Sequence, residues 1–417
     1  MERFIFKEHA LEYSRGVKKR IEITETIESI LTSFADVLPA SKTGRILIKP
    51  NLHMDLNSLM GNTTDLRILS DLIRLLQKRG YKNLIVGEGT NCGMHRFNID
   101  VYSRLGVTDL VSYYGVEFVD FNKSNGIEIE LSGNTKARVA DICLENDCFI
   151  DVPKIKTHRL VALSVCLKSL VGCFVRMDKR KIHLHIDQQI VKMNEIIKPD
   201  LYIVDGLIAK QGQGPAWGEP VRLDTLIAGT DPFLLDAFCA WFTGFEYNEI
   251  NYLKLAMERN IIDQELLDAI RNSVEQIPLK KATPQRFVNF LATPLLDPIR
   301  NLIRPLSDNK WITKFLYHTK IREDLYDDED PQIQEIVIDK SKCNLCKSCN
   351  DICPMNIDIT DSRFSVESTG CIKCLYCYMI CPEKCISLQG NLGYLVRAMA
   401  DYQPHIDKLG YNGVGPR

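Results

Sequence analysis

Near its end the chain repeats one unusual run: CNLCKSCNDICP from Cys343 to Pro354, and CIKCLYCYMICP from Cys371 to Pro382. Both copies read C-x-x-C-x-x-C-x-x-x-C-P, and this is the only internal repeat in the sequence. Eight of the fifteen cysteines fall into it. Thiols at three-residue steps follow neither the helical nor the strand period, so this segment must fold around what the thiols hold. Three readings compete. Structural zinc usually takes cysteines as separated C-x-x-C pairs. Disulfides belong to oxidising compartments, whereas the N-terminus, MERFIFKEHALEYSRGVKKR, has no uninterrupted apolar stretch that would make a secretory signal. An iron–sulfur group accounts for all eight positions and both prolines.

The run resembles that of the bacterial two-cluster ferredoxins. The resemblance implies two [4Fe-4S] clusters with crossed ligation, each repeat lending its fourth cysteine to the other cube. Cluster one would take Cys343, Cys346, Cys349 and Cys381, and cluster two Cys371, Cys374, Cys377 and Cys353. The 17 residues between Cys353 and Cys371 include NIDITDSRFSV, which reads as a small hairpin. Such a module performs one-electron transfer, at a potential the sequence leaves open. Cys385 is a ninth cysteine here and reads as a free thiol, with a spare ligand or redox thiol as the alternative. Cys92, Cys143, Cys148, Cys166, Cys173 and Cys239 lack ligand spacing and read as small core hydrophobes.

The 417 residues, 45% hydrophobic and 25% charged, suffice for two or three domains. A net charge of −2 gives no basic field, so no nucleic-acid partner is expected. The most apolar later stretch, Leu160 to Val175, is interrupted by Lys168 and is too short to span a bilayer. A soluble, cytoplasmic protein is expected. Through the first 240 or so residues, β-branched apolar runs alternate with amphipathic stretches: RILIKPN, a helix over Asp65 to Arg79, NLIVGEGTN, CFIDVPKIKTH, LYIVDGLIA and TLIAGTDP, with a helix from about Phe233. Near-continuous apolar strands predict an α/β domain with a largely parallel, helix-covered sheet over 1–278. Residues 279–330 read as a helical connector and acidic linker. From Leu279 to Arg322, nine Lys or Arg face two Asp, and a peripheral membrane contact is the alternative for this stretch. A small α+β dicluster ferredoxin-like domain follows over 331–390, then a tail over 391–417.

Ligands in open α/β sheets bind beyond the carboxyl ends of strands. The polar residues there are Lys49 and Asn51, the turn Gly87-Glu88-Gly89, Lys154, Lys156 and His158, and Asp205 with the loop Gln211 to Pro215, which contains Gly212 and Gly214. Alternation puts Lys154, Lys156 and His158 on one side of a strand. His183 and His185 are candidates to join His158 at a metal or in proton transfer. The stretches IKPN at Ile48, VPKIKTH at Val152, LKSLVG at Leu167, VDG at Val204, GQGP at Gly212 and AGTDPFLLDA at Ala228 resemble domain-of-unknown-function family 362, uncharacterised iron–sulfur centre proteins. That family has no assigned general reaction. The expected function is an iron–sulfur oxidoreductase or electron-transfer protein. Its α/β domain binds a redox partner or a small anionic substrate through Lys49, Asn51, Lys154, Lys168, Asp205, Gly212 and Gly214, with Lys156 and His158 as catalytic candidates. The alternative is a non-catalytic electron carrier or assembly factor whose α/β domain docks another protein.

Overall fold

The computed structural model describes residues 2–6, 9–283 and 329–410. Residues 284–328, most of the basic connector and acidic run, lie outside the described residues. Ten strands form one sheet. They are β1 (Glu2–Phe6), β2 (His9–Arg15), β3 (Arg45–Pro50), β4 (Asn83–Glu88) and β5 (Glu117–Asp120), and then, past a separate ribbon of β6 (Ile127–Glu130) and β7 (Lys136–Val139), β8 (Cys148–Val152), β9 (Lys154–His158), β10 (Ala162–Ser164), β11 (Leu201–Gln213) and β12 (Trp217–Gly229). The order along the sheet is β1-β2-β12-β11-β8-β3-β4-β5.

The run β11-β8-β3-β4-β5 is parallel, as the apolar runs predict, while β1, β2 and β12 add an antiparallel flank. In β3, Ile46 and Ile48 enter the core on one face and Leu47 the core on the other. Burial on both faces is why the strand reads as continuously apolar. The first face is covered by the helices Arg20–Ser33 and Leu66–Lys78, the second by the helices Ile186–Ile196 and Pro232–Phe242. Helix Leu66–Lys78 begins where the Asp65 carboxylate accepts the Arg67 N–H. It buries Leu66, Leu69, Leu72, Ile73 and Leu76 and gives way at Gly80, whose φ is 89°. Each such side chain contributes about 1.5–3 kcal/mol by leaving water.

Two strands differ from the sequence reading. CFIDVPKIKTH is not one strand: Pro153, which has no N–H, separates β8 from β9. β9 leaves the main order and pairs with β11 and β10. Asp205 does not follow a strand, because β11 continues to Gln213 past a register shift between Gly206 and Ile208. The glycine-rich loop is therefore the tip of the β11–β12 hairpin. A Cβ on Gly214 would lie 2.1 Å from the Thr157 carbonyl oxygen, so only glycine lets the tip close on β9.

In the C-terminal module, β13 (Gln332–Ile338) pairs antiparallel with β14 (Ile386–Asn391), and short helices Ser348–Asp351 and Tyr376–Ile380 carry the third cysteine of each repeat, Cys349 and Cys377. The stretch NIDITDSRFSV forms turns rather than a hairpin. Asp358 and Asp361 accept the N–H groups of Thr360 and Arg363 at 2.9 and 2.8 Å, and these side-chain turns compete with ladder pairing. Within the segment read as a tail, Leu395–Ile406 is helical. The module shares the first core, through Ile336, Tyr376 and Met379.

Candidate metal centre and a buried cationic cluster

Cys343, Cys346, Cys349 and Cys381 line one pocket, which Cys385 joins. Burial, then the neighbouring Cys346 and Cys381, push the Cys349 thiol up to about 11. The other four form a second group. Burial and then Cys353 raise Cys371, Cys374 and Cys377 alike. The fourth cysteine of each repeat thus faces the first three of the other. Clustered thiols held protonated in this way give up their protons to a metal, whose charge offsets the repulsion between thiolates. Among the described residues, no three His, Cys, Asp or Glu side chains are arranged to hold a single metal ion. The donor set, all thiols in two interleaved groups of four, fits four-iron cubes. Of the remaining cysteines, Cys143, Cys148, Cys166, Cys173 and Cys239 are buried, and Cys92 is half-buried with its Sγ 3.6 Å from the Arg176 carbonyl oxygen.

In the α/β domain the strand-end residues divide into two sets. One set is neutralised. Lys49 Nζ lies 3.3 Å from both Glu88 Oε2 and Asp151 Oδ1 and 3.0 Å from Ser169 Oγ. Burial alone would lower its pKa, but Asp151 and Glu88 outweigh burial and hold it above the usual lysine value. Lys154 Nζ reaches Asp205 Oδ2 at 2.8 Å, with both side chains fully buried. Asp205 also accepts the N–H groups of Asp65 and Leu207. Gly87 and Glu88 belong to β4 rather than to a turn, and the space at Gly87 is filled, because a Cβ there would meet the Phe121 ring at 2.3 Å.

The other set has no carboxylate within hydrogen-bond distance among the described residues, although Glu88 acts on Lys156 from farther away. Lys156 Nζ contacts Asn51 Oδ1 at 2.7 Å, the Asn62 carbonyl oxygen at 2.9 Å and His53 Nδ1 at 3.3 Å. Burial, then Lys168 and Lys154, bring its pKa well below the ordinary value. Lys168 is half-buried and has no hydrogen bond or ion pair among the described residues, and burial lowers it to about 8. His158 accepts the Leu160 N–H at Nδ1, 3.1 Å, which puts its proton on Nε2. Burial and then Lys168 keep that ring neutral. His53, which the sequence reading missed, is also neutral through burial and Lys156, and its Nε2 is buried without a partner. Lys210 completes the cluster by bonding Asn62 Oδ1 and, at 2.9 Å, Tyr402 Oη.

So Lys154, Lys156 and His158 share β9, but their partners diverge. The hairpin tip packs on the same strand: Thr157 Oγ1 donates to the Gly212 carbonyl at 2.8 Å, and the Arg159 N–H to that of Gly214 at 3.2 Å. Of the proposed partners of His158, His183 lies near enough for its charge to lower the pKa of His158 after burial and Lys168, while no three His, Cys, Asp or Glu side chains among the described residues form a group that could hold a metal ion. His183 and His185 are exposed, and His183 Nδ1 sits 3.0 Å from the Lys179 carbonyl oxygen.

Interleaved thiols on a ferredoxin-like module joined to an α/β sheet define an iron–sulfur protein. Residues 335–382 match the 4Fe-4S dicluster domain, and residues 46–241 match the domain of unknown function DUF362. The chain therefore matches both families that its motifs resemble, the first over residues 46–241 and the second over residues 335–382. It is 27% identical over 205 residues to Thylakoid-associated protein sll1697 of Synechocystis sp., a match covering 46% of this chain and 60% of that one. The apoprotein of lactate racemase from Thermoanaerobacterium thermosaccharolyticum aligns with a TM-score of 0.37 and 14% identity, over 54% of this chain and 55% of that chain. A likeness at that level carries no argument. No helix among the described residues is long and apolar enough to cross a membrane.

Proposed function

We propose that this is an iron–sulfur redox protein with two [4Fe-4S] clusters, one held by Cys343, Cys346, Cys349 and Cys381, the other by Cys353, Cys371, Cys374 and Cys377. It would exchange electrons with a small anion bound among His53, Lys156, His158 and Lys168 in the α/β domain. The clusters, when bound, supply one-electron transfer. The observation that carries the anion reading is Lys168, a half-buried cation with no partner among the described residues, near Lys156, whose hydrogen-bond contacts Asn51, His53 and Asn62 are all neutral. Burying such charge is costly unless something negative completes it. Lys49, Lys154 and Asp205 then serve as the scaffold, since they satisfy one another and nearby groups. The unpartnered Nε2 of His53 and the Nε2–H of His158 are placed to move or donate a proton as charge arrives.

A panel of phosphate, oxalate and pyruvate, scored anaerobically by melting temperature, tests the reading. At least one should raise the Tm of the wild type and leave Lys168→Ala unmoved; equal shifts in both proteins would refute it. Docking of a protein redox partner is supported separately by exposed Cys346 and by Leu345, 63% exposed beside it. That reading suits an electron carrier in a reducing compartment, in the cytoplasm or at its face of a membrane.

A further inference from the structure

We propose that Cys385 is a reserve ligand of the first cluster, able to take the place of Cys381. The inference rests on the assignment of Cys343, Cys346, Cys349 and Cys381 to that cluster.

Cys385 lies outside the cysteine repeat, four residues after Cys381. Two residues in that position would diverge in an extended chain, but Lys384 takes a left-handed φ of 47° and folds the segment back on itself. The two sulfurs end up 3.4 Å apart. Cys385 is only 5% exposed and lines the same pocket as the four proposed ligands. Its backbone is fixed: the Asp339 N–H donates to its carbonyl at 2.8 Å, and the next residue, Ile386, pairs with Ile338 across β13 and β14. A buried thiol is usually a small hydrophobe. This one is held by a sheet edge with its sulfur against a ligand sulfur.

The exchange needs no oxidant. The bond from iron to Cys381 Sγ breaks, one from the same iron to Cys385 Sγ forms, and the thiol proton of Cys385 passes to the released Cys381 thiolate across the short contact. Charge and electron count are unchanged. The cube would then survive any event that removes Cys381 as a ligand, such as oxidation of that sulfur.

Four variants of the full chain, reconstituted anaerobically, decide the matter by iron content and by electron paramagnetic resonance after reduction. Wild type and Cys385→Ala should each hold about eight irons, two four-iron cubes. Cys346→Ala, which has no spare thiol beside it, should fall to about four. Cys381→Ala should keep about eight, with an altered signal from one cluster, and the Cys381→Ala/Cys385→Ala double variant should fall to about four. A fall to about four in Cys381→Ala alone overturns the reserve role but leaves Cys381 a ligand. Full iron in the double variant would overturn the ligand assignment itself. Should Cys381→Ala not accumulate as folded protein, Cys381→Val, closer in size and without a donor atom, carries the same comparison.

Discussion

The hydroxyl of Tyr376, which stands between Cys374 and Cys377, accepts a hydrogen bond from Ser58 Oγ at 2.8 Å. It also receives the Leu66 N–H at 3.4 Å, at the first residue of helix Leu66–Lys78. The loop of the second thiol group is thereby fastened to the α/β domain through a buried aromatic ring, and Ser70 adds a 2.8 Å bond to the carbonyl of Pro354. Tyr376→Phe keeps the ring and removes the acceptor, leaving the Ser58 hydroxyl and the helix N–H without it. A loss of about 1–3 kcal/mol in urea unfolding is expected, with iron content unchanged. An unchanged midpoint would show that the hydroxyl does not fasten the module.

Crossed ligation is tested from the side that has no neighbouring spare thiol. Cys353 belongs to the first repeat, yet it is the first charge acting on Cys374, Cys377 and Cys371 after burial. Cys353→Ala should therefore cost the cluster of the second repeat, dropping iron from about eight to about four per chain. The surviving paramagnetic signal should be the one that Cys346→Ala abolishes. If both variants remove the same signal, the ligation is not crossed.

The two sets of lysines should respond oppositely to truncation. Lys154→Ala strands the fully buried Asp205 carboxylate, and breaking a buried pair in this way costs about 3–5 kcal/mol. Lys168→Ala removes a cation that has no partner among the described residues, so its stability should equal or exceed that of the wild type, while anion-induced stabilisation disappears. Thermal melts of both variants, with and without phosphate, oxalate and pyruvate, check the contrast. A strongly destabilised Lys168→Ala would mean that this side chain serves the fold.

Much of this was legible because it is local. Ligand spacing repeats within twelve-residue runs, and the helix over Leu66–Lys78 follows from its apolar period and from Asp65. What the sequence hid was pairing across distance. Lys49 meets carboxylates 39 and 102 residues away, and Lys154 meets one 51 residues away. Two lysines that looked available are therefore consumed. His53 was overlooked, although it stands two residues beyond Asn51, where alternation after β3 returns a side chain to the same side. Asp205 looked like a strand end because Gly206 follows it, yet β11 absorbs that glycine in a register shift and runs on.

The pH dependence of anion binding follows from Lys168. Burial lowers its pKa to about 8 in the folded protein, below the usual lysine value, so the folded state loses this proton before the unfolded state does. Between about 8 and 10 the unfolded chain binds more protons, and the anion-free protein should gain stability from this group as pH rises. The bound anion requires the charged form. Affinity should therefore be level below about pH 8 and fall by up to tenfold per unit above it. Anion titrations from pH 6.5 to 9.5, followed anaerobically by Tm or calorimetry, would show a break near 8 in the wild type. In Lys168→Arg, where the charge persists throughout, the break should vanish while binding remains. A break at the same pH in the arginine variant would assign the titration to another group, with His53 and His158 excluded because both are neutral well below that range.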